Sequence, residues 1–218
     1  MSGPVIVVIG AGPGLGAAVA RRFGAEGYDV ALVSRSAEML DELGAALQRE
    51  GITTGWTALD LTHGPALTEA ITRFGEHAGH IDVLHFNPSR FRQKDPLSLT
   101  PDELLEDVRL GAAALLTAVQ AARPFMSEGA RVTATGSMAA DAPWNEAASL
   151  GVQKAALRNL VRSIDATLRP DGIRAVSVTV NGTLAPGTGF SPDRVAGSIF
   201  GAATQPVDSW RTEVPYDG

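Results

Sequence analysis

The chain has 218 residues, 44% of them hydrophobic and 19% charged, a composition suited to one packed domain with a core that needs no staple. A formal net charge of -6 and the absence of any basic run exclude a polyanion binder as the first expectation, for nucleic acid and anionic membrane alike. With no cysteine, and with His63, His77, His80 and His85 outside any HExxH-like spacing, neither disulfides nor a metal centre is expected.

The N-terminal stretch MSGPVIVVIG lacks the basic flank and cleavage pattern of a signal peptide, and no long apolar span follows, so a cytoplasmic protein without membrane association is expected. VIVVIG (5–10) is a short apolar run rich in β-branched residues, the pattern of a strand buried on both faces of a parallel sheet. A glycine-rich turn leads to helical periodicity over 15–27, ended by Gly27. DVALVSR (29–35) predicts the second strand, and Ser36 caps a helix running to about Leu47.

The alternation then repeats: a strand over 53–61, a helix near 65–77, and a strand in IDVLHFN (81–87). After the loop NPSRFRQKDPLSL, Thr100, Pro101 and Glu103 form a helix-start signal with a capping box. Asp102, Glu103, Glu106 and Asp107 read as acids favoured by the helix dipole, and one long helix over 101–126 is expected. RVTATGS (131–137) predicts a strand, 149–168 a helix, 173–180 a sixth strand, Ser191-Pro192-Asp193 a helix start, and TEVPYDG a last edge strand. Strands and helices alternating in this way predict a single-domain, Rossmann-type α/β fold over 1–218: a doubly wound parallel sheet of about six or seven strands with helices on both faces.

Gly10-Ala11-Gly12-Pro13-Gly14-Leu15-Gly16 lies between the first strand and the first helix, where glycines let a backbone approach a pyrophosphate and a helix N-terminus offers free N–H groups. The competing reading is a tight packing turn. At the end of the second strand an NAD enzyme usually carries Asp or Glu, whereas this chain has Ser34-Arg35, suited to a 2′-phosphate. NADP(H) is therefore expected over NAD(H), unless Arg35 is merely a solvated cation before a helix.

These motifs resemble the short-chain dehydrogenase/reductase family over nearly the whole chain. Gly10, Gly14 and Gly16 meet that family's GxxxGxG form, Asp60-Leu61 stands where the family holds the adenine, and IDVLHFNPS stands where it reads IDVLVNNAG, with Asn87 retained. The resemblance implies a catalytic group of serine, tyrosine, lysine and asparagine, in which the lysine also holds the nicotinamide ribose. Ser137 and Lys154 fit the first and third of these. Counting forward from Ser137 and back four residues from Lys154 both reach Leu150 where the tyrosine belongs, and the asparagine position is Gly111.

Tyr28 and Tyr216 lie far from that position in sequence; His85, Asn145 and Trp144 are candidate replacements, each with a plain packing or loop role as the alternative. Val180-Asn181 replaces the family's usual Pro-Gly after the sixth strand, and the short segment that follows implies an open or small pocket. The resemblance further implies a small-molecule substrate and a homodimer or homotetramer built on the helices 101–126 and 149–168. An oxidoreductase acting on a small carbonyl or activated alkene is expected. A non-redox isomerase or cyclase, and a catalytically silent NADP-binding sensor, are the alternatives.

Overall fold

A computed structural model describes residues 3–218. β1 (Val5–Ile9) leads into α1 (Leu15–Gly24), β2 (Asp29–Ser34), α2 (Ala37–Arg49), β3 (Thr54–Ala58), α3 (Gly64–Ala78) and β4 (Val83–Phe86). The second half runs α4 (Pro101–Val108), α5 (Ala114–Ala122), β5 (Arg131–Ser137), α6 (Ala148–Leu168), β6 (Arg174–Val180), α7 (Pro192–Ala203) and β7 (Glu213–Tyr216). All seven strands pair in parallel, in the order β3-β2-β1-β4-β5-β6-β7.

The apolar run of β1 follows from this position. Val7 and Ile9 face a core packed by α3, α5 and α6, while Ile6 and Val8 face a second core packed by α1, α2 and α7. A strand covered on both sides has no solvent face to carry polar residues. Because β1 pairs with β2 on one side and β4 on the other, the order of addition reverses there, and the crevice at the strand ends opens at that reversal.

The helix starts expected from local sequence form as expected. Ser36 Oγ accepts the Met39 N–H at 3.3 Å, and Thr100 and Glu103 make the reciprocal bonds of a capping box. The expected continuous helix over 101–126 is instead interrupted by a π-turn, Arg109–Ala113, between α4 and α5, and finishes as a 3₁₀ turn, Arg123–Phe125. Gly111 lies in that turn against the Gln153 side chain of α6, which occupies the space a Cβ at 111 would fill. A side chain inserted beside a helix is a recognised cause of such a bulge.

The acids of α4 also depart from the dipole reading. Glu103 does cap, but Asp107 sits in the last turn, fully buried, and accepts bonds from Arg92 at 3.0 Å and from Ser149 Oγ at 2.7 Å. Arg92 also reaches Glu103 at 3.0 Å and Glu106 at 3.1 Å. The loop after β4 is thus tied to α4 and to the start of α6 by charge, a long-range pairing that local sequence rules do not see. The Arg92 guanidinium and Ser149 hydroxyl hold the Asp107 carboxyl below the usual range against the opposing effect of burial.

Away from the crevice, Asp165 on α6 accepts Arg174 Nε at 2.9 Å and Nη2 at 3.0 Å and the Ala175 N–H at 2.8 Å. Both side chains are nearly fully buried. Asp165→Ala would leave the guanidinium without its counter-charge, so it is expected to cost roughly 3–5 kcal/mol in urea unfolding. A loss below about 1 kcal/mol would mean that water replaces the carboxylate at no penalty.

Candidate active site

A cleft of about 440 Å³ opens at the carboxyl ends of the strands, lined at one end by the glycine turn, Ser34, Arg35 and Leu61 and at the other by Ser137, Leu150 and Lys154. Gly10 has φ +81, and a Cβ there would meet the Pro88 backbone nitrogen at 2.9 Å; a Cβ on Gly16 would meet Ala11 Cα at 2.8 Å. Those two glycines serve close packing. Gly12 and Gly14 differ: a Cβ on either would meet nothing within 4 Å, so their bare backbone faces open space. The first turn of α1 follows without an acidic residue or a side-chain cap, leaving N–H groups for an anion. These residues fit the pyrophosphate of a dinucleotide cofactor, with Leu15 and Gly16 supplying helix N–H groups.

Ser34 closes β2, and Arg35 beside it is exposed and makes no ion pair among the described residues. Leu61 is buried against the cleft, and Asp60 next to it accepts Thr62 N at 2.9 Å and Thr62 Oγ1 at 2.8 Å. Those two bonds hold the Asp60 carboxyl below its usual range. The structure thus brings Gly10, Gly12, Gly14, Leu15, Gly16, Ser34, Arg35, Leu61, Asn87, Ser137 and Lys154 to one cleft and sets Asp60 next to Leu61 beside it.

At the inner end, Asn87 Nδ2 donates to Gly10 O at 3.1 Å while its Oδ1 accepts Thr135 Oγ1 at 2.9 Å. Lys154 Nζ donates to Thr135 O at 2.8 Å and is only 4% exposed. Burial lowers its ammonium from the ordinary lysine value to about 8. Ser137 Oγ accepts the Ala139 N–H at 3.2 Å, which leaves its own O–H to donate into the cleft. Leu150 lies one helical turn before Lys154 and lines the same wall, with Leu110, Leu184 and Pro88 nearby.

None of the candidate replacements for the tyrosine lines this cleft. His85 is 0% exposed, faces the α1 and α7 side of the sheet, and shares Nδ1 with Thr133 Oγ1 at 2.9 Å. Burial and the Lys154 charge push it down to about 3, so it stays neutral and sealed. Trp144 tilts against Phe91 at 5.6 Å on the surface, and Asn145 is exposed in the short turn before α6. Tyr28 packs edge-on to Phe23 at the opposite end of the strands, and Tyr216 donates its hydroxyl to Gly189 O at 2.6 Å.

Two residues that sequence reasoning missed shape the inner wall. Gln153 is fully buried; its Oε1 accepts Arg90 N at 3.1 Å and its Nε2 donates to Arg90 O at 2.8 Å, pinning the loop that carries Pro88 and Ser89. Thr135 joins Lys154 to Asn87. The available signal was a polar residue beside Lys154 on a helix otherwise small and apolar, but its partner, sixty-three positions away, was not readable.

With this geometry in place, the class is that of a dinucleotide-binding α/β protein with its site at the strand reversal. Residues 4–193 match the family described as short chain dehydrogenase, and the chain belongs to the short-chain dehydrogenase/reductase family, a family of oxidoreductases. It is 26% identical over 204 residues to Short-chain dehydrogenase/reductase SDRA of Arabidopsis thaliana, covering 93% of this chain and 77% of the relative. Over 169 residues it is 27% identical to Tropinone reductase-like 3 of Erythroxylum coca, covering 77% and 66% of the two chains. Among solved structures, a metagenomic short-chain oxidoreductase in complex with NADP superposes with a TM-score of 0.88 at 27% identity, covering 99% of this chain and 97% of the other. A short-chain dehydrogenase from Burkholderia cenocepacia J2315 in complex with NADP does so at 0.88 and 27%, covering 100% and 97%.

Neutral His85 makes stability depend on pH. The unfolded chain takes up a proton below about pH 6.5, which the folded chain refuses until about pH 3, so stability falls as pH drops through that window. The expected slope is at most about 1.4 kcal/mol per pH unit from this residue. The double variant His85→Leu/Thr133→Val should flatten the acid limb in urea unfolding measured from pH 7 to 4; an unchanged limb would assign the proton uptake elsewhere.

Proposed function

We propose that the chain is an NADP(H)-dependent oxidoreductase acting on a small carbonyl or activated-alkene substrate. The observation that carries this reading is one cleft with an open glycine cradle, an unpaired Arg35 beside Ser34 at the outer end, and Lys154 and Ser137 at the inner end. Arg35 and Ser34 would hold the 2′-phosphate, the backbone of Gly10 to Gly16 the pyrophosphate, Asp60 and Leu61 the adenine side, and Lys154 the nicotinamide ribose. The nicotinamide, when bound, supplies or accepts the hydride. Asn87 acts by fixing the turn to β5, and Ser137 donates to the oxygen on which charge develops. NADP in the two superposed relatives named above supports the cofactor preference.

The apolar inner wall of Leu110, Leu150 and Leu184 favours a compact, weakly polar substrate. Exposed Leu105 on α4, Leu116 on α5 and Val152 on α6 suit a homo-oligomer built on those helices, and the cytoplasm, where the reduced cofactor is available, is the proposed location. No helix among the described residues is long and apolar enough to cross a membrane. One observation favours the rival reading of an NADP-binding protein that transfers no hydride: Leu150 places no proton-bearing group where the family's phenol stands.

Arg35→Ala is expected to weaken NADPH on the order of 10–100-fold and leave NADH nearly unchanged, read from fluorescence titrations. Equal loss for the two cofactors would remove the 2′-phosphate assignment. Leu150→Tyr is expected to raise NADPH-dependent ketone reduction by a few-fold, up to about tenfold, since a phenol there would stand one turn from Lys154 and add a donor to the cleft wall. No gain in a variant that binds NADPH normally would mean that the cleft no longer orients a ketone.

A further inference from the structure

We propose that Lys154 is itself the proton donor of this cleft, passing a proton from its ammonium to the substrate oxygen that the family's phenol would otherwise serve. The inference rests on the oxidoreductase reading above and concerns what replaces the missing acid.

Elimination along the cleft is the first argument. Of the side chains that line it, Thr135 donates its hydroxyl to Asn87 Oδ1, and Asn87 donates one amide N–H to Gly10 O and, as an amide, does not ionise. Arg35 does not release a proton in proteins, and it stands at the far end of the cleft. Ser34, Ser89 and Ser137 bear alcohols, which donate hydrogen bonds but do not ionise near neutrality. Lys154 is left.

The second argument is how Lys154 is held. Of the 18 basic residues only Lys94 and Lys154 are lysines, and Lys94 is spent at the surface on Glu103 at 2.7 Å. Lys154 has one protein acceptor, Thr135 O, so further N–H bonds remain to be directed into the cleft. No carboxylate compensates it: Asp107 of α4 is taken by Arg92 and Ser149, and Asp141, after β5, by Arg158. Arg109 of the π-turn is exposed, while β5 and β6 present the uncharged Thr133, Thr135, Ser177 and Thr179. His85 of β4 senses the charge and stays neutral. An ammonium desolvated and unpaired gives up a proton more readily than a surface lysine, and its lowering to about 8 follows.

The step balances with NADPH as reductant. With the reduced cofactor bound, a C–H bond of its dihydronicotinamide would break as the carbonyl carbon gains that hydride, the C=O π pair would move to oxygen, and the oxygen would take a proton from Nζ as an N–H bond breaks. The neutral amine stays tethered to Thr135 O and regains its proton from solvent. With an activated alkene the same transfer goes to the enolate oxygen.

Two lysines make the test direct. In protein labelled with 13Cε-lysine, with Lys94→Arg used for assignment, the Lys154 signal is expected to titrate near pH 8, with or without bound NADP. NADPH oxidation with a panel of small ketones and enones should be level below that pH and fall about tenfold per unit above it. Lys154→Met should lose on the order of 10²–10⁴ in kcat. Because Lys154 also sits at the ribose, NADPH affinity is measured in parallel by fluorescence, and the comparison is made at saturating cofactor.

A Lys154 signal that titrates only above pH 10, or turnover that ignores pH between 7 and 10, would overturn the proposal while leaving the oxidoreductase reading intact. Wild-type kcat in Lys154→Met would do the same. No NADPH consumption across the panel by protein that binds NADPH would overturn both.

Discussion

A single chain of hydrogen bonds underlies the inner end of the cleft. Lys154 Nζ donates to Thr135 O, Thr135 Oγ1 donates to Asn87 Oδ1, and Asn87 Nδ2 donates to Gly10 O. The chain crosses from α6 over β5 and β4 to the turn after β1, so the lysine, the inner strands and the glycine turn hold one another in register. Each link is buried or half-buried, where an unmade bond costs more than a made one gains. Asn87 is the central link: removing its side chain leaves both Thr135 Oγ1 and Gly10 O without their partner, whereas losing Lys154 frees only the Thr135 carbonyl.

Much of this arrangement was legible in the sequence because its causes are local. The β-branched run of β1, the glycines that follow and the capping box at Thr100 each act within a few residues, and each forms where its pattern stands. The parallel sheet follows from their alternation. The failures share a different cause. Asp107 read as a dipole acid because four acids follow Pro101, yet its burial is decided by Arg92 and Ser149 from two other segments. His85 looked like a mouth residue because it lies near the end of β4, but side-chain direction along a strand alternates, and its position points it into the core beside Thr133.

Leu150 and Gly111, the two positions at which the sequence departs from the pattern it resembles, differ in their surroundings. Leu150 is a simple exchange on the cleft wall: the helix and the lysine one turn later remain in place. Gly111 is a coupled change, since the bare backbone there admits the Gln153 side chain, and Gln153 in turn fixes Arg90 and the loop carrying Pro88 and Ser89. An asparagine restored at 111 would have to displace Gln153 and release that loop, so the two positions are expected to be non-additive. Gln153 thus organises the loop beside the cleft, while at the glycine turn the backbone of Gly12 and Gly14 faces open space.

Energetics bears on whether such a site still performs chemistry. A buried ammonium without a carboxylate is a standing cost, because desolvation opposes the charge and one carbonyl only partly offsets it. For a fold that only had to pack α6 against β5, a leucine or methionine at 154 would be the more stable choice. With leucine at position 150 the lysine has no phenol one turn away to partner, yet it is hydrogen-bonded into the chain that reaches the glycine turn. A protein that merely sensed a nucleotide could meet its needs with the outer half of the cleft, from Arg35 to Leu61. The inner half, with its uncompensated cation beside Ser137, is intelligible when that cation has a partner to meet in the cleft: the ribose of a bound cofactor, and beyond it an oxygen on which negative charge develops.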